Sequence, residues 1–139
     1  MQRSVFLALV FSLALGGCGG SDDDDGLGTV SPELVGRWVG PFETSGPLGG
    51  QNGTADMTVG SDGRLLGSLD NKFLGATGSV EGSVGANGKT AGTYAYPLYK
   101  GSFNGQFTLQ QDGHLGGTVK TFDQDGKDTG TATFDLTKQ

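Results

Sequence analysis

The sequence holds few of the residues that build disulfides, metal sites and nucleic-acid interfaces. It has one cysteine and one histidine, so a disulfide within the chain is impossible and a zinc site of the usual kind lacks its ligands. Nine basic residues stand against fifteen acidic ones, a formal net charge of -6. Because basic side chains must neutralise phosphates in nucleic-acid binding, we expect no nucleic-acid partner. We also expect no metal and no cofactor.

A long apolar run is also absent. The longest spans residues 5–15, whereas a transmembrane helix needs roughly 20 apolar residues. This run follows Arg3 and precedes Gly16 and Gly17, which is the order of charge, apolar run and small residues in a secretory signal peptide. The sequence therefore predicts a signal peptide at residues 1–17.

The four residues Leu15-Gly16-Gly17-Cys18 resemble the lipobox of bacterial lipoproteins. The resemblance implies that the Cys18 thiol is diacylated, that the preceding peptide is removed and that the new amino terminus is acylated. Two or more acyl chains anchor a protein stably to a membrane. Gly19 is not aspartate, which in this family implies the outer membrane. We expect a lipid-anchored protein of the bacterial cell envelope, the alternative being an ordinary signal peptide followed by a free cysteine.

Residues 18–32 have the composition of a tether. Glycine and serine come first, and four consecutive aspartates follow at residues 22–25. Small residues with a run of like charge favour a flexible linker, which lacks the fixed geometry of a calcium site. We therefore place the folded domain at residues 33–139.

A repeated segment that contains Asp-Gly or Asn-Gly occurs four times in this domain, with the pair at residues 62–63, 87–88, 112–113 and 125–126. Such pairs between alternating residues are typical of β-hairpins, and we expect tight primed turns with positive φ angles. The turns recur after about 25, 25 and 13 residues, the lengths of two strands or one strand with their connections. This spacing predicts a β-meander.

Alternation of residues assigns two faces to each predicted strand. Serine, threonine, aspartate and lysine dominate one face, and the other holds nearly all large apolar residues, interleaved with many of the chain's 28 glycines. This inward set is Leu34, Gly36, Trp38, Gly40, Phe42, Ala55, Met57, Val59, Leu65, Gly67, Leu69, Val80, Gly82, Val84, Gly92, Tyr94, Tyr96, Phe103, Gly105, Phe107, Leu109, Leu115, Gly117, Val119, Gly130, Ala132, Phe134 and Leu136. We predict an all-β fold, an antiparallel up-and-down meander of about eight strands closed into a small barrel, with a flattened β-sandwich as the alternative.

The first strand also carries a resemblance. Gly36-x-Trp38 is similar to the Gly-x-Trp motif of the calycins, the lipocalin and avidin group, in which it closes one end of a barrel. The hairpin at residues 62–68 resembles an avidin hairpin. Avidins hold biotin with several tryptophans, and because this chain has one, the resemblance does not extend to biotin binding.

Two other functions fit the pattern poorly. A membrane pore would turn its apolar face toward lipid and carry aromatic girdles, whereas here the continuous outward face is polar. Catalysis needs titratable groups in a cleft, but the strand acids fall on the outward face: Asp56, Asp70, Glu81 and Asp135. His114 directly follows a turn glycine, and residues 123–128 lack the distal glutamate of a calcium loop. We expect no enzyme activity.

The remaining candidates are structural and binding roles. We expect a non-catalytic barrel with a structural or protein-interaction role, for which another envelope protein is the candidate partner. The alternative is a carrier of a small hydrophobic ligand. Trp38, Tyr94 and Tyr96 share the inward face and are the candidate ligand-binding residues, since their polar tips need partners when buried. For Trp38 we favour packing over ligand contact, because an eight-stranded barrel has little interior beyond its own side chains.

Overall fold

The computed structural model describes residues 29–47 and 50–139. The predicted signal peptide, Cys18 and most of the predicted tether lie outside these residues. In the described part the chain forms eight strands: β1 (Gly36–Ser45), β2 (Gln51–Val59), β3 (Arg64–Asn71), β4 (Ala76–Val84), β5 (Lys89–Tyr96), β6 (Tyr99–Leu109), β7 (Leu115–Asp123) and β8 (Asp128–Lys138). Short 3-10 turns lie at Pro32–Leu34 and Ala86–Gly88.

The strands form a closed barrel in which each pairs with its neighbours in sequence. Every pairing is antiparallel, and β1 closes the sheet by pairing with β8 from Trp38 opposite Lys138 to Ser45 opposite Thr131. The prediction of an up-and-down meander of eight strands closed into a barrel is confirmed. The sandwich alternative is excluded because neither β1 nor β8 is an edge.

The four hairpins predicted from Asp-Gly and Asn-Gly share one backbone hydrogen-bond pattern. At the first, Gly60 N–H donates to the Arg64 oxygen over 2.8 Å and Gly63 N–H donates to the Gly60 oxygen over 2.9 Å. The same two bonds recur at residues 85–89, 110–114 and 123–127. The chain thus repeats one turn structure, at the sites the sequence indicated.

The turn type differs from the prediction. Type I′ turns need positive φ at both central residues and type II′ turns at the first, yet at three of the described hairpins only the glycine has positive φ, with Asn87 the non-glycine exception at the fourth. The prediction of primed turns is wrong for all four pairs, since the bond from Gly88 N–H to the Gly85 oxygen makes Ala86, whose φ is not positive, the first central residue of the fourth turn. Their hydrogen bonds are typical of three-residue loops, in which a β-turn is followed by one left-handed residue.

The predicted inward face forms the core. Trp38, Leu65, Leu115 and Leu136 are nearly inaccessible to solvent, and the other large apolar members of the set are buried or half-buried with one exception. The exception is Leu109, which is 39% exposed, so its assignment to the core is wrong. It is the last residue of β6, where the chain turns away from the barrel.

Glycines on the inward face let adjacent strands approach closely. Gly82 of β4 lies opposite Gly92 of β5. A Cβ atom at Gly82 would overlap the Ala91 carbonyl oxygen, and one at Gly92 would overlap the Glu81 carbonyl oxygen. Only glycine fits such a backbone approach.

The two ends of the barrel differ, and we call them the Trp38 end and the tyrosine end. At the Trp38 end, the chain enters through Val30 and Leu34, which are both buried and pack into the core. Packing thus begins three residues before the predicted domain start. The tyrosine end lies opposite, where Tyr96 and Tyr99 flank the connection from β5 to β6.

Candidate ligand-binding cavity

A cavity of about 70 Å³ occupies the half of the barrel toward the tyrosine end. Its walls are apolar and include Phe42, Met57, Phe103, Phe107 and Phe134. Polar side chains line its mouth: Thr44, Gln51, Asn71, Tyr94, Tyr96, Tyr99, Thr121 and Thr129. An apolar interior with a few polar groups at one side is the usual construction of a small-molecule site, although drug-sized sites are larger, about 300–1,000 Å³.

The structure separates the three candidate ligand-binding residues. Tyr94 and Tyr96 line the cavity, and their rings meet edge to face with centroids 6.3 Å apart. Trp38 lies at the other end of the barrel and does not line the cavity. The candidate lipidation residue, Cys18, lies outside the described residues.

Tyr94 and Tyr99 form a hydroxyl pair on one side of the mouth. Their oxygens are 3.2 Å apart, and the Tyr94 hydroxyl also lies 3.3 Å from the Phe122 carbonyl oxygen. Burial is the main cause that raises the pKa of Tyr94, and the bond to Tyr99 raises it further. Tyr94 is therefore neutral at physiological pH and acts as a hydrogen-bonding group.

Asn71 organises a second group of polar side chains at the mouth. Its side chain is almost completely buried, with 1% exposure for the residue. The Asn71 Nδ2 group donates to Gln51 Oε1 over 2.9 Å and to the Tyr96 hydroxyl over 3.3 Å. Asn71 Oδ1 accepts from the backbone N–H of Leu74 over 3.0 Å. One amide therefore connects strands β2, β3 and β5 with the β3–β4 turn.

The mouth residues that sequence analysis missed are mostly polar members of the inward face. The inward alternation extends past the apolar residues to Thr44 in β1, Gln51 in β2 and Asn71 in β3. In β6 the alternation that contains Phe103 also contains Tyr99. That alternation was the available signal. Thr129 has the opposite parity from its inward neighbours, because the β7–β8 register shifts beside Thr121 and Phe122.

Three large apolar side chains are exposed on the turns beside the mouth. Phe73 and Leu74, on the β3–β4 turn, are 66% and 42% exposed, and Leu98, on the β5–β6 connection, is fully exposed. Both turns lie at the tyrosine end. This edge therefore holds three of the five large apolar side chains that are exposed among the described residues.

The charged groups form pairs on the outer wall, away from the cavity. Arg37 contacts Asp56 at 2.7 Å, and His114 Nδ1 lies 2.7 Å from Asp135. No charged side chain is among the described residues that line the cavity. In the same part of the chain, no three His, Cys, Asp or Glu side chains are grouped to hold a metal ion.

Comparison with known proteins adds no family. A scan against protein-family models found no match, and a search of curated proteins found none either. No helix in the described residues is long and apolar enough to span a membrane. Functional inference therefore rests on the cavity and on the residues around Cys18.

Proposed function

We propose that this protein is a lipid-anchored protein of the bacterial envelope whose barrel binds a small, largely apolar molecule without catalysing a reaction. The observation that carries the binding role is the cavity, with aromatic and aliphatic walls and hydrogen-bonding groups at one mouth. Neutral lining residues support binding over catalysis, because acid-base chemistry needs a titratable group beside the substrate. The cavity has roughly half the volume of the engineered cavity of about 150 Å³ that binds benzene, so the guest is at most one small ring and part of it lies in the mouth.

The position of the tether supports access to this mouth. Val30 packs near Gly63 at the Trp38 end, so residues that precede it join the barrel opposite the mouth. A chain anchored through Cys18 would then leave the tyrosine end free of the tether. The residues Leu15-Gly16-Gly17-Cys18 support this anchor, and Gly19, which is not aspartate, supports an outer-membrane location.

Filling the cavity tests the binding role. Ala132 is buried and lines the cavity, so Ala132→Leu should occupy the space that the guest needs. Ala95→Leu is the matched control, because Ala95 is exposed on the outer wall. Titration with toluene and cyclopentane, followed by NMR, should show saturable binding to the wild type and Ala95→Leu that Ala132→Leu loses. If neither probe binds the wild type, the binding role is wrong.

Mass spectrometry of the amino-terminal peptide tests the anchor. The proposal expects Cys18 to be the first residue, with diacylglyceryl and N-acyl groups attached, and the protein to fractionate with outer membranes. Cys18→Ala should abolish acyl incorporation. A mature chain that retains residues 1–17 and an unmodified thiol would refute lipidation.

A protein-interaction role is the second candidate, favoured by the exposed Phe73 and Leu98 beside the mouth. A photo-crosslinking amino acid placed at Leu98 in cells should join one defined envelope protein. The same group at Thr133, exposed on the outer wall, is the control. Identical crosslinks from both positions would argue against a specific surface at the mouth.

A further inference from the structure

The direction of the hydrogen bonds at the mouth is set by a backbone group. Asn71 Oδ1 accepts from the Leu74 N–H, which can only donate. The Asn71 amide therefore directs its Nδ2 protons toward Gln51 and Tyr96. The flipped amide orientation is excluded, because it would place the Asn71 NH₂ group against the Leu74 N–H, so that two donors would face each other.

The same logic orients the neighbouring groups. Gln51 must present its side-chain oxygen to Asn71, so the two Nε2 protons of Gln51 point elsewhere. The Tyr96 hydroxyl oxygen accepts from Asn71, so the hydroxyl proton of Tyr96 is available for another acceptor. Thr44 shows the same pattern, since its hydroxyl accepts from the Gln51 backbone N–H over 3.1 Å. Within the described part of the chain, no protein group accepts the Tyr96 proton or the Gln51 Nε2 protons.

We propose that this side of the mouth recognises a neutral hydrogen-bond acceptor, and that the ligand is a small cyclic molecule whose carbonyl or ether oxygen meets Tyr96 and Gln51. The inference rests on the proposed binding function and specifies its ligand class. The apolar body of the ligand lies against the aromatic walls. In the free protein, water satisfies these donors, and the ligand oxygen replaces it.

The surroundings disfavour an anionic acceptor such as a carboxylate. The described residues that line the cavity carry no positive charge, and burying an unpaired charge is costly. Burial is the main cause that raises the pKa of Tyr96, and the negative charge of nearby Asp70 is a smaller contribution in the same direction. Lys72 and Lys100 are exposed near the mouth but do not line the cavity.

Three probes of one ring size test the proposal: cyclopentanone, cyclopentane and cyclopentanecarboxylate. The ¹⁵N-labelled full chain is titrated with each, and the Gln51 side-chain amide signals report contact with the acceptor. Tyr96→Phe removes one donor, and Gln51→Glu keeps the acceptor for Asn71 while removing the other donor. Tyr99→Phe is the matched control, because the Tyr99 hydroxyl pairs with the Tyr94 hydroxyl and not with Asn71 or Gln51.

We expect Tyr96→Phe and Gln51→Glu each to raise the Kd for cyclopentanone by about two- to tenfold, the value of one hydrogen bond, without changing the Kd for cyclopentane. Tyr99→Phe should leave the ratio of the two Kd values unchanged, and cyclopentanecarboxylate should bind more weakly than cyclopentanone. Equal effects on both neutral probes, no effect on either, or tighter binding of the carboxylate would overturn the inferred ligand class while the binding function stands. Failure of both neutral probes to bind would instead refute the binding function.

Discussion

The indole N–H of Trp38 donates a hydrogen bond to the Leu34 carbonyl oxygen over 2.9 Å. Leu34 belongs to the 3-10 turn that precedes β1, so this bond connects the entering chain to the first strand. On the β8 side, Lys138 Nζ lies 5.5 Å from the centre of the Trp38 ring. Trp38 thus joins the entering chain, β1 and the end of β8, and fills one end of the barrel.

Shortening Trp38 should be strongly destabilising. Because the side chain is 1% exposed, we expect Trp38→Ala to lower the free energy of unfolding by about 3–5 kcal/mol. Trp38→Phe keeps a ring but leaves the Leu34 carbonyl without its donor, and should lose about 1–3 kcal/mol. Urea denaturation followed by circular dichroism measures both. Equal losses in the two variants would mean that the hydrogen bond, and not the ring volume, dominates.

Trp38 fluorescence separates the two ends of the barrel. Its emission should be blue-shifted in the native state, since the ring is buried. It should not change when cyclopentanone binds, because Trp38 does not line the cavity. A saturable change in emission with this probe would place the ligand at the Trp38 end and contradict the assignment of the cavity.

Two turn glycines in equivalent positions should respond differently to substitution. Gly88 and Gly113 have nearly the same φ, 79° and 89°. A Cβ at Gly113 meets nothing within 4 Å, whereas one at Gly88 would overlap the Phe107 carbonyl oxygen. We expect Gly113→Ala to lose about 1–2 kcal/mol, the cost of a left-handed conformation alone. Gly88→Ala should lose clearly more in the same urea denaturation experiment, and an equal loss would show that the backbone moves aside there.

The sequence predicted the barrel because its signals are local and repeated. Alternation assigned the buried face, and the Asp-Gly and Asn-Gly pairs marked four hairpins. The turn type was missed because one positive φ and two positive φ angles favour the same residue pairs. Leu109 was misplaced because alternation does not show where a strand leaves the barrel.

The cavity was only half predictable. The inward alternation predicted that Tyr94 and Tyr96 point into the barrel. It did not predict their distance from Trp38, which depends on where each residue lies along the barrel axis. Trp38 is the third residue of β1, and Tyr96 is the last of β5, which places them at opposite ends. Asn71 was missed because a polar residue at an inward position looks like a strand terminus until its partners are known.

The outer wall carries a pH-sensitive pair. The hydrogen bond that His114 Nδ1 donates to Asp135 is the main cause that raises the pKa of His114 above 6.5. A raised pKa means that the pair stabilises the fold below about pH 6.5 and that this contribution is lost as the pH rises through the folded-state value. NMR titration of the single histidine should show the raised pKa, and Asp135→Asn should lower it. A titration unchanged in Asp135→Asn would show that the pair does not form in solution.

Asn71 should be the most sensitive polar residue of the mouth. Asn71→Ala leaves the Leu74 N–H without its acceptor and removes a donor from Gln51 and Tyr96, so we expect a loss of about 2–4 kcal/mol. Thr90→Val is the control, because Thr90 is also buried but donates one hydrogen bond, to the Ser83 oxygen over 2.9 Å; it should lose about 1 kcal/mol. Amide hydrogen exchange at Leu74 should accelerate in Asn71→Ala beyond the change in global stability, since the β3–β4 turn loses its attachment to the buried amide. Exchange that accelerates equally at Leu74 in both variants would mean that the turn is held by the fold as a whole and not by Asn71.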